Sequence, residues 1–316
     1  MAATTRIEWC DSTWSPISGC TPCSPGCEHC YAAALVRRFQ NLHDDGTDPL
    51  DTGSFPLPFS RLQFHPGRLQ APEHWRRARR IFAGSMTDLF QDGMPDNWLR
   101  LVFHTMHCLK CEQHTFIVLT KRVKNALSWF SMLHHSSDSL WPLPNVWLGV
   151  TVCNQAEADA KMPVLLQTPA ALRFVSVEPM LGPVDLAEWL PVFEGPDGHP
   201  WAACECSDCA RTRRPNLDWV ICGGETGPGS RPMHEAWARG LRDQCQDGRV
   251  PFFFKGQGEW APVRLPWDVD EVIAARPSGL PHWSDGTSTL AMMRVGKKRA
   301  GALLDGREWH QFPGEG

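Results

Sequence analysis

The chain has 316 residues, an apolar content of 42% and a formal net charge of −4, which suit one large domain with a buried core and exclude a broadly basic surface that would coat nucleic acid. It contains no apolar run near the ~20 residues of a transmembrane helix, and its first residues lack the pattern of a signal peptide. We therefore expect a cytoplasmic protein without a membrane partner, whose 13 cysteines are thiols or metal ligands rather than disulfides.

Apolar segments rich in β-branched or aromatic residues alternate with helical stretches along the chain. The predicted strands are Ser15–Cys20, Arg80–Ser85, Thr115–Thr120, Val146–Val152, Arg173–Glu178, Asp218–Cys222 and Val250–Lys255. The predicted helices are Tyr31–His43, Asn97–Cys111, Val123–Leu133, Gln155–Leu166 and His234–Gln246. Such alternation indicates a parallel sheet with crossover helices. Six or seven units predict an α/β fold, a partial (β/α)6-7 barrel of the TIM type.

Three segments interrupt this alternation. Asp44–Gln70 is rich in Gly, Pro and Asp and is predicted to be a long loop. Residues 191–215 form a Cys-rich insertion between two strands. Residues 261–316 are predicted to be a C-terminal extension packed on the barrel of residues 1–260, with Thr289–Val295 and Arg299–Leu304 paired as a β-hairpin.

A cysteine-rich loop follows the first predicted strand. Cys20, Cys27 and Cys30 have the spacing C-x6-C-x2-C, and Cys23 offers the tighter C-x3-C-x2-C. Three thiolates on a short turning loop can hold three corners of a [4Fe–4S] cube and leave one iron open. Zinc is the alternative, with Cys23 or His29 as fourth ligand. The position at a strand end, where β/α barrels build their active sites, favours the iron–sulfur interpretation.

The pattern Pro16-x2-Gly19-Cys20…Cys27-x2-Cys30-Tyr31 resembles radical S-adenosylmethionine (SAM) enzymes, particularly the branch that contains spore photoproduct lyase. The chain is also similar to an uncharacterised phage and prophage family named for its three-cysteine motif. The shared blocks are Ile7–Trp9, Trp14–Tyr31, Gly84–Phe90, Thr115–Arg122, Ser176–Gly182, Gly223–Pro232 and Phe253–Trp260. This resemblance selects Cys20, Cys27 and Cys30 as cluster ligands, with Cys23 as the alternative to Cys20.

The resemblance implies that the open iron binds the amino and carboxylate groups of SAM. One electron from a flavodoxin- or ferredoxin-type donor would then cleave the sulfonium and give a 5′-deoxyadenosyl radical, which takes a hydrogen atom from the substrate. A nucleic-acid base is the first candidate substrate, with Arg211, Arg213 and Arg214 of the insertion as phosphate contacts. A peptide or small molecule fits the acidic chain nearly as well.

Polar residues follow the second strand. The resemblance implies that Gly84, Ser85, Thr87 and Asp88 bind the methionyl amino group of SAM. Gly84 would allow close approach of the backbone, and the three polar side chains can exchange hydrogen bonds. The alternative is a capped turn, with Ser85 or Thr87 as the cap.

Further candidates stand at the other strand ends. Lys121 and Glu178 are predicted catalytic residues: Lys121 could neutralise a carboxylate or phosphate, and Glu178 could hydrogen-bond ribose hydroxyls. The alternative is a purely structural ion pair between the two. Arg231 follows a glycine-rich loop and is predicted to reach an anionic group. The remaining predicted cofactor contacts are Tyr31 and Thr151, and Lys255 is predicted to enter the barrel mouth.

A second cysteine cluster lies in the insertion. Cys204, Cys206 and Cys209 have the spacing C-x-C-x2-C, which suggests zinc or an auxiliary iron–sulfur cluster, with unligated thiols as the alternative. A different class of function also fits these features. The chain could be a zinc-binding, non-enzymatic interaction module for nucleic acid or protein on a barrel scaffold, because a fold does not by itself imply an activity.

Overall fold

A parallel sheet forms the centre of the molecule. The computed structural model describes residues 5, 7–40, 57–134, 141–191, 216–262, 281–284 and 289–315. Seven strands pair in parallel in the order β1-β4-β5-β6-β7-β8-β9. They are β1 (Ser12–Trp14), β4 (Arg80–Ala83), β5 (Thr115–Thr120), β6 (Val146–Val152), β7 (Leu172–Val177), β8 (Trp219–Cys222) and β9 (Phe252–Phe254). The sheet is curled into a half-barrel, which confirms the predicted partial TIM-type fold.

Helices connect the parallel strands. They are α1 (Tyr31–Gln40), α2 (Pro66–Leu69), α3 (Asp96–His107), α4 (Val123–His134), α5 (Gln155–Gln167), α6 (Glu235–Asp247) and α7 (Lys297–Ala300). α3, α4 and α5 each join two neighbouring strands, and α6 joins β8 to β9, as parallel crossovers require. Among the described residues, no helix is both long and apolar enough to cross a membrane.

The two faces of the sheet carry two apolar clusters because successive strand residues point to opposite sides. One set, which includes Ile81, Phe116 and Val175, packs with the buried faces of the helices. The other set, which includes Phe174 and Trp219, fills the concave side of the half-barrel. Gly149 makes room there, since a Cβ at this position would lie 2.4 Å from the Phe174 ring. The aromatic filling makes the lower part of the barrel a packed core.

The end of the chain covers the edge strand β9. Phe253 forms an antiparallel bridge with His310, and the Phe312 ring packs 5.2 Å from that of Phe253 and 5.5 Å from that of Trp219. The guanidinium of Arg80 on β4 lies 3.6 Å from the centroid of the same Phe312 ring. The C-terminal residues therefore protect a free strand edge and add to the concave core.

The first strand differs from the prediction. Parallel pairing involves Ser12–Trp14, in register with Ile81–Ala83, and not Ser15–Cys20. Within the predicted strand, only β2 (Ile17–Ser18) is extended and paired, antiparallel to β3 (Gln63–Phe64). β3 and α2 lie in the segment predicted to be a long loop. The cysteine loop therefore follows a short two-stranded ribbon that turns the chain outward from β1.

The C-terminal extension also differs in detail. β12 (Thr289–Arg294) occupies the first predicted hairpin strand, but it pairs with β10 (Trp260–Pro262) and β11 (His282–Ser284). α7 occupies part of the second predicted strand. The division into residues 1–260 and 261–316 stays a prediction. Cys204, Cys206 and Cys209 lie outside the described residues, as do Arg211, Arg213 and Arg214.

Candidate active site

A cavity of about 350 Å³ opens at the carboxyl ends of the parallel strands. The strand alternation explains which side chains reach it. Phe174 faces the concave side, so Ser176 and Glu178 follow on the same side two and four residues later. The same alternation places Lys121, four residues after Ile117, and Lys255, two residues after Phe253, on the concave side. All four polar residues line the cavity, at the place where β/α barrels carry their sites.

Three cysteines of the loop line this cavity. They are Cys20, Cys27 and Cys30, whereas Cys23 is exposed and does not line it. The Cys23 side chain instead forms a hydrogen bond with Cys27. The structure therefore separates Cys23 from the other three by position, although the four residues share one short loop.

Hydrogen bonds to the backbone of residues 19–21 hold the start of the loop against the barrel. The Gly19 carbonyl accepts from Thr87 Oγ1 (2.6 Å) and Gln91 Nε2 (2.8 Å), and the Cys20 N–H donates to the Phe59 carbonyl (2.7 Å). The Arg122 guanidinium donates to the carbonyl of Thr21 (2.7 Å). Cys20 is thus fixed relative to the ends of β4 and β5.

Glycines allow the middle of the loop to approach the strands closely. A Cβ on Gly26 would lie 2.5 Å from Cys153 Sγ and 3.0 Å from Pro179 Cδ. A Cβ on Gly229 would lie 2.7 Å from His29 Nε2. A larger residue at position 26 would push the cysteine loop away from the ends of β6 and β7, and a larger residue at position 229 would push His29 away from the loop that follows β8. The two glycines therefore determine how closely Cys27 and Cys30 approach the carboxyl ends of the strands.

Arg231 anchors the loop and does not line the cavity, which differs from its predicted role as a ligand for an anion. Its guanidinium binds Glu225 through two contacts (Nε–Oε2 2.9 Å, Nη2–Oε1 2.7 Å). It also donates to Glu28 (2.7 Å) and to the Pro25 carbonyl (3.0 Å). Burial would raise the pKa of Glu225, but the bonds from Arg231 outweigh it and lower that pKa.

The segment after β4 reaches the cavity, but the carboxylate of Asp88 in this segment is hydrogen-bonded to the end of β5. Gly84, Ser85, Thr87 and Asp88 all line the cavity, and Tyr31 donates a hydrogen bond to the Ser85 carbonyl. Asp88 accepts from Thr120 Oγ1 (2.7 Å), the Phe90 N–H (3.0 Å) and the Lys121 N–H (2.8 Å). Asp88 therefore ties the ends of β4 and β5 together.

Lys121 and Glu178, the two predicted catalytic residues, do not pair with each other. Glu178 forms its ion pair with Lys255, so in the part of the chain that the structure describes the Lys121 ammonium has no carboxylate partner. Burial would lower the pKa of Lys121, but the negative charges of Cys27, Cys153 and Asp88 outweigh it and raise that pKa. Lys121 is therefore a cation at neutral pH.

Cys27 has the character of a thiolate ligand. A hydrogen bond from Cys23 lowers the pKa of the Cys27 thiol; burial opposes this, whereas the nearby Lys121 ammonium adds to it. Thiolates, not thiols, bind metals. The loop therefore presents a deprotonated sulfur next to a cation inside the cavity.

The donor set of the cavity fits an iron–sulfur cluster with SAM. Three thiols on separate turns of one loop can each bind a different iron, and Lys121 offsets part of their negative charge. Ser176 Oγ and Trp9 Nε1 are buried at this cavity without a hydrogen-bond partner among the described residues, so polar groups of the wall are left for a bound molecule. Within the same ranges, no three His, Cys, Asp or Glu side chains form a site for a single metal ion.

Several site residues escaped the sequence analysis. Ser176 lies two positions before Glu178, and strict strand alternation would have placed it at the cavity. Trp9 and Glu8 precede the first strand, and Lys297 belongs to the C-terminal extension; all three line the cavity. No local pattern indicates that the two ends of the chain meet there. Thr151 and Lys255 also line the cavity.

Solved structures with a similar arrangement are distant. A spore photoproduct lyase variant with a cysteine replaced by serine has a TM-score of 0.38 at 10% identity, over 95% of this chain and 72% of that one. A second variant of the same enzyme, with bound AdoMet and dinucleoside spore photoproduct, has a TM-score of 0.39 at 9% identity, over 92% and 71%.

No curated protein matches the sequence. The predicted phage origin stays a prediction. A family model described as a protein of unknown function, DUF5131, matches residues 4–313, and the chain therefore belongs to that family.

Proposed function

We propose that this protein is a radical SAM enzyme whose [4Fe–4S] cluster is bound by Cys20, Cys27 and Cys30. One observation carries the proposal. These three cysteines, without Cys23, line a single cavity at the carboxyl ends of a parallel half-barrel, together with Lys121, a half-buried cation that has no carboxylate partner among the described residues. Three ligands leave one iron free for SAM, whereas a fourth cysteine ligand would close the cluster.

The residues around the loop have separate roles in this proposal. The Lys121 ammonium stabilises the anionic sulfurs or the carboxylate of SAM. Glu178 and Thr151, which both line the cavity, would hydrogen-bond ribose hydroxyls in this proposal, and the ion pair with Lys255 would orient Glu178. A cluster held by Cys20, Cys27 and Cys30 would supply one electron for the reductive cleavage of SAM, the chemistry by which radical SAM enzymes remove a hydrogen atom from a substrate.

The concave core protects such chemistry from water. Trp9, Phe82 and Leu119 form the apolar part of the cavity wall, and the Trp9 ring packs 4.8 Å from that of Phe82. A tightly packed apolar wall would limit quenching of a reactive intermediate by water and hold a substrate in one orientation. The electron would come from a flavodoxin- or ferredoxin-type donor.

Metal analysis and product detection test the proposal. The protein is purified without oxygen, reconstituted with iron and sulfide, and analysed for iron, sulfide and zinc. We expect about four irons for each chain at this site and release of 5′-deoxyadenosine on addition of SAM and dithionite. The Cys108→Ala variant, which changes a cysteine at the far end of α3, is the control and should behave like the wild type. A protein that retains zinc but no iron would support the interaction-module alternative and contradict the enzyme.

A further inference from the structure

A second compartment of about 400 Å³ adjoins the cysteine-lined cavity. The two share Glu8, Glu178, Lys255 and Lys297 in their walls, so they form one continuous site with an inner and an outer part. The outer part extends beneath α7 in the C-terminal extension. None of the described cysteines lines it.

The charges of the outer compartment are unequal. Lys255 is paired with Glu178, and Lys297 lies 2.9 Å from Glu8. Lys298 also lines this compartment and, within the described residues, has no carboxylate at ion-pairing distance. Three ammonium groups thus face two carboxylates, which leaves one positive charge in excess. An anion that enters this compartment could therefore form an ion pair with Lys298.

The rest of this wall is mostly backbone. Gly256, Gly258 and Gly301 line it with positive φ values of 128°, 81° and 78°. The backbone packing is tight, because a Cβ on Gly258 would lie 2.4 Å from the Glu225 carbonyl oxygen. Such a wall offers polar peptide groups and ammonium groups instead of apolar side chains. Glycine-rich backbone beside lysines is suited to a phosphate group.

We propose that the outer compartment binds a phosphate group of the substrate, with Lys298 as its main ligand and Lys297 as a second. A molecule held in this way extends into the inner compartment, where the cysteine loop lies. The inference rests on the proposed function for the identity of the reaction, but the binding site itself does not depend on it. It assigns the C-terminal extension a role in substrate recognition.

Binding measurements with the full-length protein test this inference. The probes are inorganic phosphate, AMP, glucose 6-phosphate and a short fluorescein-labelled single-stranded DNA, each titrated at low and at moderate salt. The variants are Lys298→Gln and Lys298→Arg. Lys110→Gln is the matched control, because Lys110 is an exposed lysine before β5, at the opposite end of the strands. We expect Lys298→Gln to weaken binding of the phosphate probes about five-fold, Lys298→Arg to retain most of it, and Lys110→Gln to change nothing.

The outcomes separate the possible sources of the phosphate. Tighter binding of the DNA than of AMP would identify a nucleic-acid strand as the ligand. Tighter binding of AMP than of glucose 6-phosphate would identify a mononucleotide. Equal binding of AMP and glucose 6-phosphate would indicate a phosphate monoester in general. Equal affinities of Lys298→Gln and Lys110→Gln, or no binding of any probe, would overturn the inference. Because the assay requires neither cluster nor SAM, phosphate binding in a protein that fails to release 5′-deoxyadenosine would refute the proposed chemistry and leave the subsite intact.

Discussion

Arg231 and Glu225 form a two-point ion pair, with contacts of 2.9 and 2.7 Å, and the same guanidinium holds Glu28 and the Pro25 carbonyl. The pair lies in the glycine-rich loop after β8, while Glu28 and Pro25 lie in the cysteine loop. One side chain therefore connects the far side of the barrel mouth to the segment that carries the proposed cluster ligands.

Loss of Arg231 should loosen the cysteine loop. The side chain of Glu225 is 6% exposed, so Arg231→Gln removes the guanidinium and leaves this buried carboxylate beside the His29 imidazole (Nδ1–Oε2 3.2 Å), at a cost of about 2–3 kcal/mol. For a chain of this length we expect a melting temperature about 4 °C lower and a reduced iron content after reconstitution. Arg100→Gln is the control, since it breaks an exposed helical pair with Asp96 worth less than about 1 kcal/mol. Equal effects of the two variants would contradict the anchoring role.

Gly26 should tolerate no side chain. In Gly26→Ala the new methyl group meets Cys153 Sγ at 2.5 Å, and the resulting overpacking costs about 1–3 kcal/mol. We expect iron incorporation to fall, and the double variant Gly26→Ala, Cys153→Ala to recover part of it because the sulfur is removed. Gly240→Ala, in the middle of α6 with no neighbour within 4 Å, should instead stabilise the protein slightly. A double variant no better than Gly26→Ala would show that the Cys153 contact is not the limiting one.

Much of the barrel could be predicted from the sequence because its strands are continuous apolar runs. β5 and β6 have the predicted bounds. Because side chains alternate along a strand, Lys121, Glu178 and Lys255 all line one cavity. The pairing of β1 could not be predicted. Ser12–Trp14 is short and partly polar, and it becomes a strand only because its register with Ile81–Ala83 supplies the hydrogen bonds.

The misplaced residues have a common physical cause. The sequence predicts that Arg231 binds an anion, and in the structure that anion is Glu225, six residues earlier in the chain. The expected hairpin of the C-terminal extension was a local pattern, whereas β12 finds its partners in β10 and β11. In each example, the sequence shows that a side chain or strand needs a partner, and only the tertiary structure determines which partner it obtains.

Lys121 should affect SAM more than the cluster. In Lys121→Met the cavity loses its unpaired ammonium while the three cysteines remain. We expect iron content to stay near the wild-type value and the dissociation constant for SAM to rise about ten-fold, as loss of one charge-assisted contact predicts. Lys124→Met changes an exposed lysine three residues later and should not alter SAM affinity. Unchanged SAM binding in Lys121→Met would remove Lys121 from the proposed site.

Cys20 and Cys23 should differ in their effect on the cluster. Cys20 lines the cavity, whereas Cys23 is exposed and its side chain is hydrogen-bonded to Cys27. We therefore expect Cys20→Ala to abolish the iron–sulfur absorbance and the release of 5′-deoxyadenosine, as Cys27→Ala and Cys30→Ala should. Cys23→Ala removes only a hydrogen bond to a ligand sulfur, so most of the iron should remain, with a shift in the reduction potential of the cluster. Loss of iron in Cys23→Ala but not in Cys20→Ala would reverse the ligand assignment and select the tighter C-x3-C-x2-C spacing.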